Sequence, residues 1–187
     1  MRETRPTICL DPGHGGRDPG AVAGGLTEAG VTLAIALAAR RVLLPKYRVV
    51  LTRDDDTYPT LRERVDLARM ERADAFVSIH VNAGSRSASG YEVFVRRDPL
   101  PESLVLAGSI LMQFARRWPD RDNRGLKYRA LVVVTQQLPA CLVECFFITN
   151  RADRGLLSTR AQRDKIAEAI AWGCGNFVRS IPAGPAT

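Results

Sequence analysis

Apolar residues recur along this chain with two periods. Short runs bounded by turn-forming residues predict buried strands: "TICLD" near residue 8, "YRVVLTR" over Tyr47–Arg53, "DAFVSIHV" over Asp74–Val81 and "ACLVECFF" over Ala140–Phe147. "GYEVFVRR", Gly90–Arg97, alternates apolar and polar side chains and predicts a strand exposed on one face, and "LVVV" at Leu131–Val134 is also strand-like. Between these runs the spacing becomes helical. It predicts a first helix over Leu26–Leu44, with Thr27 as its N-cap and Pro45 just beyond its end. Further helices are predicted in "TLRERVDLARMERA", in "ESLVLAGSILMQFARRW" and in the long closing stretch "TRAQRDKIAEAIAWGCGNFVRS". A basic loop is expected after the third of these helices, and a frayed tail after Ser180.

Strands that alternate with crossover helices predict an α/β fold: a three-layer sandwich with a mostly parallel, twisted sheet and helices on both faces. The expected organisation is one catalytic domain over residues 1–181 followed by a tail at 182–187. In open sheets of this kind, ligands bind outside the carboxyl ends of the strands. Strand ends are therefore the place to look for chemistry.

Composition narrows the classes. The chain has 187 residues, 45% of them hydrophobic, enough for a core without disulfides or a structural metal. No run of about 18 apolar residues predicts a membrane span, and "MRETRPTICLD" has no apolar segment ahead of a cleavage site, so synthesis in the cytoplasm is expected. Cys9, Cys141, Cys145 and Cys174 lack the paired spacing of zinc or redox motifs and read as small core residues. A formal charge of +7 suits an anionic partner, such as an acidic surface or a cell-wall polymer, or else a solvated face of arginines interspersed with aspartates. The arginines come without aromatic interleaving or a nucleic-acid motif, so no nucleic-acid partner is expected.

The chain has two histidines, and both fall at strand ends. His14 follows the first strand inside the glycine-rich "LDPGHGG", His80 closes "DAFVSIH", and Glu144 closes "ACLVE"; the topology should gather all three on one sheet edge. Imidazole suits zinc, and a catalytic zinc takes three protein ligands, so a third ligand is needed. Glu28, at the start of the first helix, is the best local candidate. Its position is equally that of a carboxylate serving the helix dipole. Two imidazoles and a carboxylate also suit ferrous iron, although that site is common on β-rich scaffolds. Asn82 and Arg62 are candidates for orienting substrate, each equally explained by turn formation or helix solvation.

These residues lie within ordered motifs that run nearly end to end: "ICLDPGHGGRDPGA", "LTEAGVTLAIALA", "VVLTRDDDTYPTLRERVDLA", "ADAFVSIHVNAG", "GYEVFV", "NRGLK" and "LPACLVECFFITNRADRGLL". In them the chain resembles the zinc-dependent N-acetylmuramoyl-L-alanine amidases that cleave peptidoglycan. The resemblance implies one Zn2+ held by His14, Glu28 and His80, with Glu144 as the catalytic acid/base. It implies hydrolysis of the amide between N-acetylmuramic acid and L-alanine, with action on the cell wall after release, as a phage endolysin does, or after export; a monomer is expected. Restrained family members carry a long insertion in the region of Arg96–Lys127; here one helix and a short loop fill it, which implies an open enzyme. One departure stands out: the family commonly has Gly two positions after the catalytic Glu, and Phe146 occupies that place here. A zinc peptidase or deacetylase acting on wall fragments is the alternative enzyme. A binding module with a structural metal would need four closed ligands, which two histidines and unspaced cysteines do not offer.

Overall fold

Every residue of Thr7–Pro12 is buried, as expected of a central strand covered on both faces. The computed structural model describes residues 5–181, so the expected tail at 182–187 lies outside the described residues. In chain order the elements are β1 (Thr7–Pro12), β2 (Val22–Ala23), β3 (Leu26–Thr27), α1 (Glu28–Leu43), β4 (Arg48–Leu51), α2 (Leu61–Met70), β5 (Ala75–Asn82), β6 (Tyr91–Val95), α3 (Pro101–Arg117), β7 (Asn123–Tyr128), β8 (Ala140–Phe147), α4 (Arg151–Ser158) and α5 (Arg160–Ser180). The main sheet has six strands in the order β4-β1-β5-β8-β6-β7. Neighbours from β4 to β8 are parallel, β6 is antiparallel to β8, and β7 is parallel to β6. The architecture is α/β, as the alternation of periods predicts.

Strand alternation divides the interior into two cores. Ile8, Leu10, Val77, Ile79, Cys141 and Val143 face the larger one, shared with α1, α3 and α5. Their neighbours Cys9, Phe76, Ala140 and Leu142 face a smaller one, covered by Ala68 of α2 and by Val133 and Val134. Period two then fixes where the chemistry goes. His80 and Glu144 follow Phe76 and Leu142 by even steps, so both fall on the thinly covered face, and they are register partners across β5 and β8.

Helix starts are set by side-chain caps. Thr27 Oγ1 accepts from Gly30 N at 3.2 Å, so α1 begins at Glu28, two residues after the expected Leu26, and Leu26–Thr27 pairs instead as β3. Thr60 and Glu63 form a reciprocal capping box at the head of α2. Asn150 caps α4, a short helix that the hydrophobic spacing did not predict.

Three expectations are corrected. Tyr91–Val95 is a strand, but it is buried on both faces rather than exposed on one, because β8 and β7 flank it and α3 packs against it. Leu131–Val134 is not a strand: Val132–Val134 forms one 3-10 turn that lays Val133 and Val134 over the smaller core. The expected basic loop instead contains edge strand β7, whose polar side chains hide it from a hydrophobic reading. All four cysteines are free and buried, and burial pushes the Cys174 thiol up to about 12. Among the described residues no helix is long and apolar enough to cross a membrane.

Candidate active site at the carboxyl edge of the sheet

The loop after β1 is drawn tightly over the strand ends. Gly13 N donates to Ile79 O at 2.9 Å, and a Cβ on Gly13 would sit 2.4 Å from Cε1 of His80. Only a residue without a side chain allows His80 to lie there. His14 itself has φ 60°, in the left-handed region, which turns its ring back toward His80; the two ring centroids are 5.0 Å apart.

Two buried arginines hold that loop by its carbonyl oxygens. Arg64, from α2, donates to Asp11 Oδ1 at 2.8 Å, to Pro12 O at 2.7 Å and to His14 O at 2.8 Å. Arg53, just past β4, donates to Pro12 O, to Gly13 O and to Ala29 O, which ties the His14 loop to the first turn of α1. Asp11 also accepts from Thr52 at Oδ1 and from Ser78 at Oδ2, each at 2.6 Å. A buried guanidinium paired to a buried carboxylate is costly to assemble and costly to break, so it fixes one loop geometry.

Three donor groups converge within this frame. Glu28 Oε1 lies 3.2 Å from His14 Nε2 and 2.9 Å from His80 Nδ1, and the ligand atoms of His14, Glu28 and His80 all fall within 4.8 Å of one another. The Glu28 carboxylate also accepts from Val81 N and Ala21 N, both at 3.0 Å, so its side chain turns back from the helix onto the strand ends. Burial alone pushes this carboxyl up, but hydrogen bonds from His14 and His80 outweigh it and hold it well below the usual range. The same bond to Glu28 raises His14 to about 9 against the opposing effect of burial. Asp18 accepts from His14 Nδ1 at 2.9 Å, which leaves Nε2 facing Glu28. Two imidazoles and a carboxylate, anchored from outside by a carboxylate and two backbone amides, form a donor set that fits a divalent cation.

Glu144 stands beside them. Its Oε2 is shielded from solvent and has no hydrogen-bond partner among the described residues, and burial pushes the carboxyl up to about 7. It borders an open cleft of about 810 Å³, while His14 and His80 border a second hollow of about 170 Å³ walled by Leu131, Val132 and Val133. Asn82 lines the larger cleft and donates to Glu92 Oε1 at 2.8 Å. Arg62 is not brought in: its side chain is 90% exposed and pairs with Asp66 one helical turn away, whereas Arg64 reaches the loop. Phe146 does not touch the cleft either. It has φ 71° in a bulge where β8 runs from Glu144 to Phe147 against His80 to Asn82 of β5, and its ring packs on Trp118, Tyr91 and Phe114 in the larger core.

Asp18, Arg53, Arg64 and Glu92 are not singled out by the sequence pattern. Signals were present: Asp18 lies four residues after His14, and Glu92 is a lone acid inside the apolar "YEVFV".

The profile of the family described as N-acetylmuramoyl-L-alanine amidase matches residues 8–176. The chain is 40% identical over 174 residues to the uncharacterised protein YqiI of Bacillus subtilis, covering 91% of this chain and 84% of that protein. It is 39% identical over 177 residues to the N-acetylmuramoyl-L-alanine amidase LytC of the same organism, covering 92% of this chain but 36% of LytC. Among solved structures, an N-acetylmuramoyl-L-alanine amidase from Clostridium difficile 630 superposes with a TM-score of 0.90 at 30% identity, covering 95% of this chain and 99% of that one.

Proposed function

Because the chain belongs to the N-acetylmuramoyl-L-alanine amidase family, we propose that it hydrolyses the amide between N-acetylmuramic acid and L-alanine in peptidoglycan, with one zinc ion held by His14, Glu28 and His80. The observation that carries this reading is the meeting of His14 Nε2, His80 Nδ1 and Glu28 Oε1 beside the shielded, unpartnered Glu144 Oε2. Zinc bound there supplies a Lewis acid for the carbonyl oxygen and a water acidified to a pKa of about 7.

The chain's own residues do the rest. Glu144 accepts a proton from the attacking water, and its protonated form returns that proton to the departing L-alanine nitrogen. Burial raises this carboxyl in the metal-free protein, which favours its holding the proton between the two halves of the transfer. Arg53, Arg64 and Asp18 hold the His14 loop and ring and the first turn of α1, Glu28 holds His80, and the open cleft admits the glycopeptide. All four side chains come from one chain, so a monomer suffices, and the substrate places its work in the cell wall.

Glu144→Ala tests the assignment: it is expected to retain zinc by elemental analysis and to lose turnover by about 10²–10⁴-fold or more. His80→Ala is expected to lose the metal. Substantial turnover in the first variant, or full zinc occupancy in the second, would remove these roles.

A further inference from the structure

The larger cleft beside Glu144 has a charged wall that hydrolysis does not require. Glu92, 4% exposed, lies opposite Glu144 across the β6–β8 ladder. Its carboxylate is fully committed: Oε1 accepts from Asn82, and Oε2 accepts from Arg124 Nε at 2.7 Å and from Lys127 Nζ. Burial pushes Glu92 up, yet Lys127 and Arg124 outweigh it and hold the carboxyl below its usual range. It is therefore no second proton carrier. What it does is fix two cations, both on edge strand β7, at the cleft wall.

A third cation has no such tether. Arg129, at the exit of β7, lines the same cleft and has no carboxylate partner among the described residues; its guanidinium lies 5.2 Å from the centre of the Phe94 ring. Arg124 is likewise placed 5.0 Å over Phe147. A guanidinium laid on an aromatic face keeps its edge N–H donors free, and that planar fork matches a carboxylate. The wall thus presents three cations against one carboxylate. Its volume of about 810 Å³ falls in the range of clefts that hold a small ligand.

We propose that this wall, with Arg129 as its free member, is a specificity subsite for a carboxylate on the stem peptide next to L-alanine, so that the chain prefers stems whose second residue is a free acid over stems in which it is an amide. The proposal rests on the amidase reading. It follows the chemistry of the stem, whose second residue is a glutamate linked through its side chain, leaving an α-carboxyl that is either free or amidated. A neutral amide leaves the cationic wall without its partner, whereas a carboxylate gains a charge-assisted pair.

The test uses two muropeptides that differ only in that group, N-acetylmuramoyl-L-alanyl-D-isoglutamate and N-acetylmuramoyl-L-alanyl-D-isoglutamine, with the zinc-loaded protein. The acid is expected to have a kcat/KM about tenfold higher, carried mainly by KM, with the advantage shrinking as salt is raised. Arg129→Ala is expected to bring the ratio close to one, and Arg129→Glu to invert it; Arg129 is exposed, so both variants should fold. Equal cleavage of the two substrates by the unmodified protein, or an undiminished preference in both variants, would overturn the subsite. Cleavage of neither substrate by protein that binds zinc would overturn the amidase reading itself, a different result from equal cleavage.

Discussion

Phe146 occupies a bulge position with φ 71°, a conformation that costs a residue with a Cβ about 1–2 kcal/mol and that glycine adopts freely. The chain tolerates that cost because the ring is fully buried among Trp118, Tyr91 and Phe114. Truncating such a ring to alanine costs about 3–5 kcal/mol. Phe114, equally buried in the same cluster but inside α3, provides a control. There, glycine should be less stable than alanine by about 1 kcal/mol of helix propensity and about 0.8 kcal/mol for the lost methyl. At Phe146 the relief of the left-handed backbone opposes those losses. Phe146→Gly and Phe146→Ala should therefore lie within about 1 kcal/mol of each other, both well below the unmodified chain. Urea unfolding of the four variants, with shared slopes, measures the two gaps. If glycine falls below alanine at Phe146 by the same amount as at Phe114, no backbone strain resides there. The explanation of the family's usual glycine as a bulge residue would then fail.

Three more outcomes follow from the site. Arg64→Met should destabilise the fold by about 3–5 kcal/mol, because it strands the Asp11 carboxylate in a buried setting; an unchanged denaturation midpoint would contradict that. Asp18→Asn should lower zinc affinity by about 10–100-fold in competition with a chromophoric chelator while leaving the metal-free protein's stability within about 0.5 kcal/mol. In its proposed role Glu144 is a base only when ionised, and its folded carboxyl is raised to about 7 without a metal; a cation beside it draws that value down. Turnover measured against pH should accordingly fall as pH drops through a limb at or below about 7, and a rate that stays flat down to pH about 4 would contradict a carboxylate base.

Much of the site was legible because strand ends carry it. His14, His80 and Glu144 each close an apolar run, and a parallel sheet must bring such ends to one edge. Glu28 was legible only as a choice between two roles, since local sequence does not show which way a first-turn carboxylate points; its bonds to Val81 and Ala21 do. The supporting arginines were illegible for a different reason. A guanidinium buried against backbone carbonyls looks, in sequence, like any surface arginine, and Arg62 and Arg64 differ only by the angle between them on α2. Likewise β7 is polar because it lies at the sheet edge, and "LVVV" is apolar because it covers a core rather than joining a ladder. Burial and hydrogen-bond partners, not residue type, decide such cases.

Mass spectrometry of purified peptidoglycan digested by the protein, with and without a chelator and after zinc add-back, decides whether the reaction is the one proposed. The expected result is release of intact stem peptides with free L-alanine N-termini, abolished by the chelator and restored by zinc. Peptides cut internally, sugars merely deacetylated, or release that ignores the chelator would contradict a zinc amidase built on His14, Glu28, His80 and Glu144.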